Sequence, residues 1–197
     1  MLKSFKRNQR GVTIVEFALI APVFMLTLLG GFELAFENYF RSVLNGAVKT
    51  TAREASIGDI TQAQVESKIR GRISALIPAM SRDRIEVVVI TTRNYYNFSN
   101  IGRPEKITND RAPLNQYNIG DCFEDTNGNG SYDTSIGESG LGDADDVVYY
   151  DVTVAFPQLI PLSGLLKGGT NTFTTRSQTV ARNQPYADQP DPETVCT

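Results

Sequence analysis

The sequence predicts an α+β protein: one long N-terminal transmembrane helix that extends into a small head, which adds a second helix and an antiparallel sheet of about three strands. Three observations carry that expectation. An apolar run, Val12–Phe36, is broken only by Glu16 and Glu33. A second stretch of helical periodicity follows it. Three separate runs of β-branched residues with alternating polarity come after that.

The first helix is predicted over Val12–Ile57. At about 1.5 Å per residue its apolar run crosses a hydrocarbon core of about 30 Å. Beyond the run, Phe36, Phe40, Val43 and Ala47 recur at helical spacing, so one apolar stripe continues outside the membrane. Gly58 follows Ile57 as a natural stop. The residues before the run, MLKSFKRNQR, hold Lys3, Lys6, Arg7 and Arg10 and no acid. Positive charge stays cytoplasmic, so the head is expected on the far side of the membrane. A cleaved secretory signal would need small residues after the apolar core, and FELAFENYF is bulky and acidic.

The second helix starts near Thr61, where Thr61 and Gln64 have the spacing of a capping box. It runs along Val65, Ile69, Ile73 and Leu76 to a stop at Pro78. Arg84–Arg93, Asp146–Phe156 and Asn171–Arg182 read as strands, the second placing Tyr150, Val152, Val154 and Phe156 on one face. Between the last two lies PQLIPLSGLL, apolar and broken by proline, which either covers the sheet or faces a partner.

Composition narrows the function. The 197-residue chain has a net charge of −3 and no long basic run, which gives nucleic acid no footprint. It has no histidine, which removes Ser-His-Asp and Cys-His catalysis and the commonest zinc ligand. No enzyme is expected.

Glu16 is the anomaly of the apolar run, because a carboxylate inside a bilayer is costly and usually has a task. The order of basic leader, Gly11, VTIVE with Glu16 fifth after the glycine, and apolar helix resembles a type IV prepilin signal. The resemblance implies cleavage between Gly11 and Val12 by a prepilin peptidase, with residues 1–11 as leader. It also implies that Glu16 pairs with the N-terminal amine of a neighbouring subunit. VEFALIAPVF, GGFELAFENYF, AVKTTAREAS and the terminal RNQPY are further similar to TadE-like minor pilins of tight-adherence systems. Gln184 stands where that ending usually has an acid.

That likeness implies a pilin-like head over 58–197 and a role in priming or capping a Tad-type pilus used for adherence. The implied partners are the prepilin peptidase, other major and minor pilins, and the inner-membrane assembly platform. The implied location is a single pass of the inner membrane with a periplasmic head, or the pilus itself. The rival expectation is a membrane-anchored extracytoplasmic calcium-binding adhesive or interaction domain that never enters a filament.

An acidic loop at 99–145 separates the first two strands. Within it DTNGNGSYD places Asp125, Asn127, Asn129 and Asp133 at positions one, three, five and nine of an EF-hand-type loop. Gly130 stands at the sharp turn and the Ser131 carbonyl at position seven. These are hard oxygen ligands, so calcium is the expected ion. Position twelve is Ile136, and Glu138, Asp143, Asp145 or Asp146 would have to replace its acid. Without metal the loop is expected to stay mobile, having little apolar surface to bury. Cys122 and Cys196 are the only cysteines, and once exported they are expected to form one disulfide.

Overall fold

The computed structural model describes residues 11–58, 60–76, 87–158, 160 and 172–197. Two compact units divide the chain: Met1–Phe40 with Pro157–Phe173, and Arg41–Phe156 with Thr174–Thr197. The expected strand start at Arg84 and the helix stop at Pro78 lie outside the described residues.

Helix α1 is Val12–Ile57, the predicted bounds. In the first unit its apolar side chains, among them Ile14, Phe17, Leu19, Ile20 and Phe32, are exposed. Its most apolar 18-residue window has a mean hydropathy of 2.3 and none of it is buried. Phe40 meets Phe173 edge-on at 6.2 Å in the same unit.

In the second unit α1 buries Leu44, Ala47, Val48, Thr51 and Ala52. The stripe therefore runs through Leu44 and Val48, whereas Val43 is half-buried. Helix α2, Gln62–Leu76, opens with the predicted capping box. The Thr61 N–H donates to Gln64 Oε1 at 2.9 Å, and the Gln64 N–H reaches Thr61 Oγ1 at 3.4 Å. Val65, Ile69 and Ile73 are buried at the expected spacing. Arg72 ties α2 to α1, donating to Thr51 Oγ1 at 2.9 Å and Glu54 Oε1 at 2.6 Å. The Arg72 and Lys68 cations hold the Glu54 carboxyl below the usual range.

The main sheet has four strands in the order β4-β1-β5-β6, with β1 Val87–Tyr95, β4 Glu138–Ser139, β5 Val147–Pro157 and β6 Thr172–Arg182. Strand β5 buries Val148, Tyr150, Val152, Val154 and Phe156, the predicted face. Ser177 of β6 donates to Asn45 of α1 at 2.6 Å, and Arg70 of α2 donates to the Val88 carbonyl of β1 at 3.0 Å. Both helices therefore lie on that sheet. On the outer face Arg176 grips the Asp151 carboxylate through Nε, at 2.7 Å, and Nη2, and holds that carboxyl below its ordinary value.

A second, three-stranded sheet has no counterpart in the sequence expectation. Its order is β2-β3-β7, with β2 Ile107–Asn109, β3 Cys122–Asp125 and β7 Glu193–Cys196. Cys122 lies directly opposite Cys196 in the β3–β7 register, and the two form the expected disulfide.

Candidate functional site: an uncovered helix and an acidic loop

Gly11, Val12 and Glu16 sit at the exposed start of α1. Among the described residues, a Cβ added at Gly11 would meet nothing within 4 Å apart from its chain neighbours. From residue 12 to residue 32 this helix is an apolar cylinder with one carboxylate, Glu16, four residues past its first residue. Such a surface needs lipid or other helices around it.

The ring of the acidic loop starts from the end of β3. Asp125, at the end of β3, turns its carboxylate over the loop: Oδ1 accepts from the Asn129 N–H at 3.2 Å and Oδ2 from the Gly130 N–H at 2.7 Å. Asn127 Oδ1 accepts from the Asn129 N–H at 3.3 Å, and Asn129 Oδ1 from the Ser131 N–H at 2.7 Å. Gly128 and Gly130 take φ of 69° and 73°, in the left-handed region that glycine adopts most readily. Asp133 closes the ring. Its Oδ2 accepts from the side-chain amides of Asn127 at 2.8 Å and Asn129 at 2.6 Å.

Asp125, Asn127, Asn129 and Asp133, read from spacing alone, are thus drawn together by one hydrogen-bonded ring. Among the described residues no group of three or more His, Cys, Asp or Glu side chains is placed to hold a metal. An ion in the ring would have two carboxylates, with amide and carbonyl oxygens as its other protein ligands. Two of the other acids named from sequence are engaged in different bonds. Asp145 pairs with Arg182 at 2.7 Å, and Asp146 accepts from the Asp143 N–H at 2.8 Å and from Gln189 at 2.6 Å. Ile136, at the twelfth position, is a core residue only 4% exposed.

Glu105 carries no sequence signature, yet it braces the loop. It is 2% exposed, and its two oxygens take the N–H groups that bound the loop, Thr126 at 3.0 Å and Asp133 at 2.9 Å. Burial pushes its carboxyl above the ordinary value, the two N–H bonds oppose that, and the Asp125 and Asp133 charges add to the rise. Nor is the loop short of apolar packing, contrary to expectation. Phe123 is fully buried and meets Tyr132 at 5.6 Å and Tyr117 at 5.8 Å, and the two tyrosines stack at 4.1 Å. Three aromatic rings give this segment a small core of its own.

RNQPY proves to be a clamp within the second unit. Arg182 Nε donates to the Asp145 carbonyl at 3.1 Å, beside the ion pair already described. Buried Asn183 gives its amide to the Leu141 and Asp143 carbonyls, each at 2.8 Å. The Gln184 N–H reaches the Ser56 carbonyl at the end of α1 at 3.0 Å. Position 184 acts here through its backbone, so a glutamine serves that bond as well as an acid would.

Residues 11–53 match the model of a family described as TadE-like protein. No curated protein and no solved structure matches the chain. The match covers most of α1 and stops short of the sheets and the acidic loop.

Proposed function

We propose that this protein is a membrane-anchored minor pilin, or pseudopilin, of a Tad-type pilus machine, and that it works in assembly by priming or capping the filament. One observation carries the reading: the TadE-like match falls on a helix whose apolar turns are left bare. Before assembly, lipid covers those turns in a single pass of the inner membrane, with the basic N-terminus cytoplasmic and the head periplasmic. In the filament, helices of other pilins replace the lipid, and Glu16 pairs with a neighbour's N-terminal amine. The prepilin peptidase and the inner-membrane assembly platform are the other partners. No step needs catalysis by this chain.

Glu16→Val tests the assembly role. It removes an expensive polar group, so membrane insertion is expected to be intact. It also leaves the neighbour's amine unpaired in a dry bundle, so piliation should fall by at least about tenfold. Normal piliation with normal insertion would leave Glu16 as a residue that merely marks the membrane edge.

A second reading, an anchored calcium-binding adhesive domain that stays outside filaments, is favoured by the ring geometry of the acidic loop. In both readings the loop takes a calcium ion through Asp125, Asn127, Asn129, the Ser131 carbonyl and Asp133. Water completes the set, and the ion takes over from the two amides that now donate to Asp133 Oδ2. Binding only the folded form, calcium should raise the melting temperature of the full chain in detergent by a few degrees over a chelator control. Asp125→Asn should remove the rise while retaining an acceptor for the turn, and magnesium should substitute poorly. Identical melting with calcium and chelator would reduce the loop to a hydrogen-bonded turn.

A further inference from the structure

The turn that follows β1, the β2–β3 pair and the approach to β7 enclose a cleft of about 590 Å3, wholly within the second unit. That volume falls in the range of roughly 300–1,000 Å3 usual for ligand sites. Local bonds set its walls. Asn97 caps the single-turn helix Phe98–Asn100, its Oδ1 accepting from the Ser99 N–H at 2.9 Å and the Ser99 hydroxyl at 2.6 Å. Tyr96 donates its hydroxyl to Asp191 Oδ1 at 3.2 Å, which ties this turn to the chain entering β7. The Cys122–Cys196 bridge holds β7 to β3, so the third wall stays against the second.

Two kinds of surface line the cleft. Pro104, Pro192 and the half-buried ring of Tyr96 supply small apolar patches. Between them stand polar groups that the fold leaves unused. Asn100 Oδ1 is buried and, among the described residues, no donor reaches it, a costly state for an amide oxygen. Among the described residues the Asn97 amide nitrogen and the Thr194 hydroxyl also make no hydrogen bond. Of the charged side chains, Lys106 and Glu124 pair at 2.6 Å, and Asp191 holds the Tyr96 hydroxyl. Arg103 is left over: it is exposed, and its guanidinium has no partner among the described residues.

We propose that this cleft is a saccharide site, taking a sugar ring that bears a carboxylate, such as a uronic or sialic acid unit. A sugar ring has apolar C–H faces, which suit the Tyr96 and proline patches, and a rim of hydroxyls that both donate and accept. One such hydroxyl donates to Asn100 Oδ1, while Asn97 and Thr194 serve others. The planar fork of Arg103 takes the carboxylate through two parallel N–H···O bonds. An acidic peptide would meet Arg103 equally well, but peptides are usually held by a free strand edge or an apolar groove, and this cleft is mainly polar. The site goes beyond the assembly reading, since neither Gly11 nor Glu16 takes part in it.

The test uses the full chain in a phosphocholine detergent, which carries no sugar headgroup. Tri-galacturonate, sialyllactose, maltotriose and tri-glutamate would each be titrated, with binding read by saturation-transfer NMR. At least one acidic saccharide is expected to bind about tenfold tighter than maltotriose or better, the tighter of the two naming the source of the carboxylate. Arg103→Gln, at an exposed position, should bring that ratio close to one with circular dichroism unchanged. Asn100→Ala should weaken the acidic saccharide by roughly three- to tenfold. Binding of tri-glutamate as tight as that of the saccharides would show that the cleft reads charge alone and would overturn the assignment. Failure of both acidic saccharides to bind would overturn it too. Unchanged affinity in both Arg103→Gln and Asn100→Ala would put the sugar elsewhere on the chain and remove the site.

Discussion

Replacing Gly11 by alanine or any larger residue is expected to leave the chain uncleaved, so that mass spectrometry finds Met1 instead of Val12 at the N-terminus. The structure makes this substitution unusually easy to interpret. Among the described residues a Cβ at Gly11 meets nothing within 4 Å apart from its chain neighbours, and the residue precedes a helix that needs no glycine there. The fold should be untouched, with unchanged circular dichroism and membrane insertion, while processing falls from nearly complete to undetectable. The consequence for assembly should be equally large. An uncleaved chain carries Lys3, Lys6, Arg7 and Arg10 ahead of Val12 and has no amine there to offer a neighbour's Glu16. A wild-type chain that keeps Met1 in cells with an active prepilin peptidase would remove both the leader and the filament role.

Breaking the Cys122–Cys196 bridge is expected to cost the head roughly 4 kcal/mol, from the loop-closure entropy of a cross-link spanning 74 positions. The melting temperature should fall by about 10 °C or more. Cys122→Ser with Cys196→Ser is the better variant, because it leaves no free thiol. Cys122 is half-buried and Cys196 exposed, so reductant alone should produce much of the same loss. The reason for the size is local. The tail after the RNQPY clamp pairs with β3 through only four residues and has few apolar side chains to bury, so the ladder cannot hold it by itself. A shift of a degree or two would mean that the ladder suffices.

The elements readable in advance were those whose signals are local. Helix α1 was bounded by an apolar run and a glycine, α2 by a capping box that forms as read, and β5 by eleven residues whose burial alternates almost perfectly. Of the predicted stripe of α1, Phe40 and Ala47 are buried, but the buried face also takes in Leu44 and Val48, because it is set by the sheet and by Arg72, neither of which periodicity can see. Strands β2, β3, β4 and β7 were invisible for a different reason. They are two to four residues long, and in CFED or ETVC a period of two cannot be told from a polar turn. Their partners are also distant in sequence, β7 being the clearest case. Asp125, Asn127, Asn129 and Asp133 were legible because their spacing is a motif. Glu105 was not, since an isolated acid before a short strand looks like any surface residue until the chain folds back over it.

The pairing of β3 with β7 also sets an order of events. A chain emerges N-terminus first, and α1, α2, β1 and β5 can find one another as soon as each appears. Strand β3 can pair with β2 at once, but its other edge must wait for a partner some seventy residues later, and non-local pairings of this kind are slow to close. Throughout that interval Cys122 is a thiol without its mate. Maturation of the head is therefore governed by the arrival of its last strand. A ribosome stall between Arg182 and Glu193 would leave the main sheet complete and the acidic half of the head unfinished.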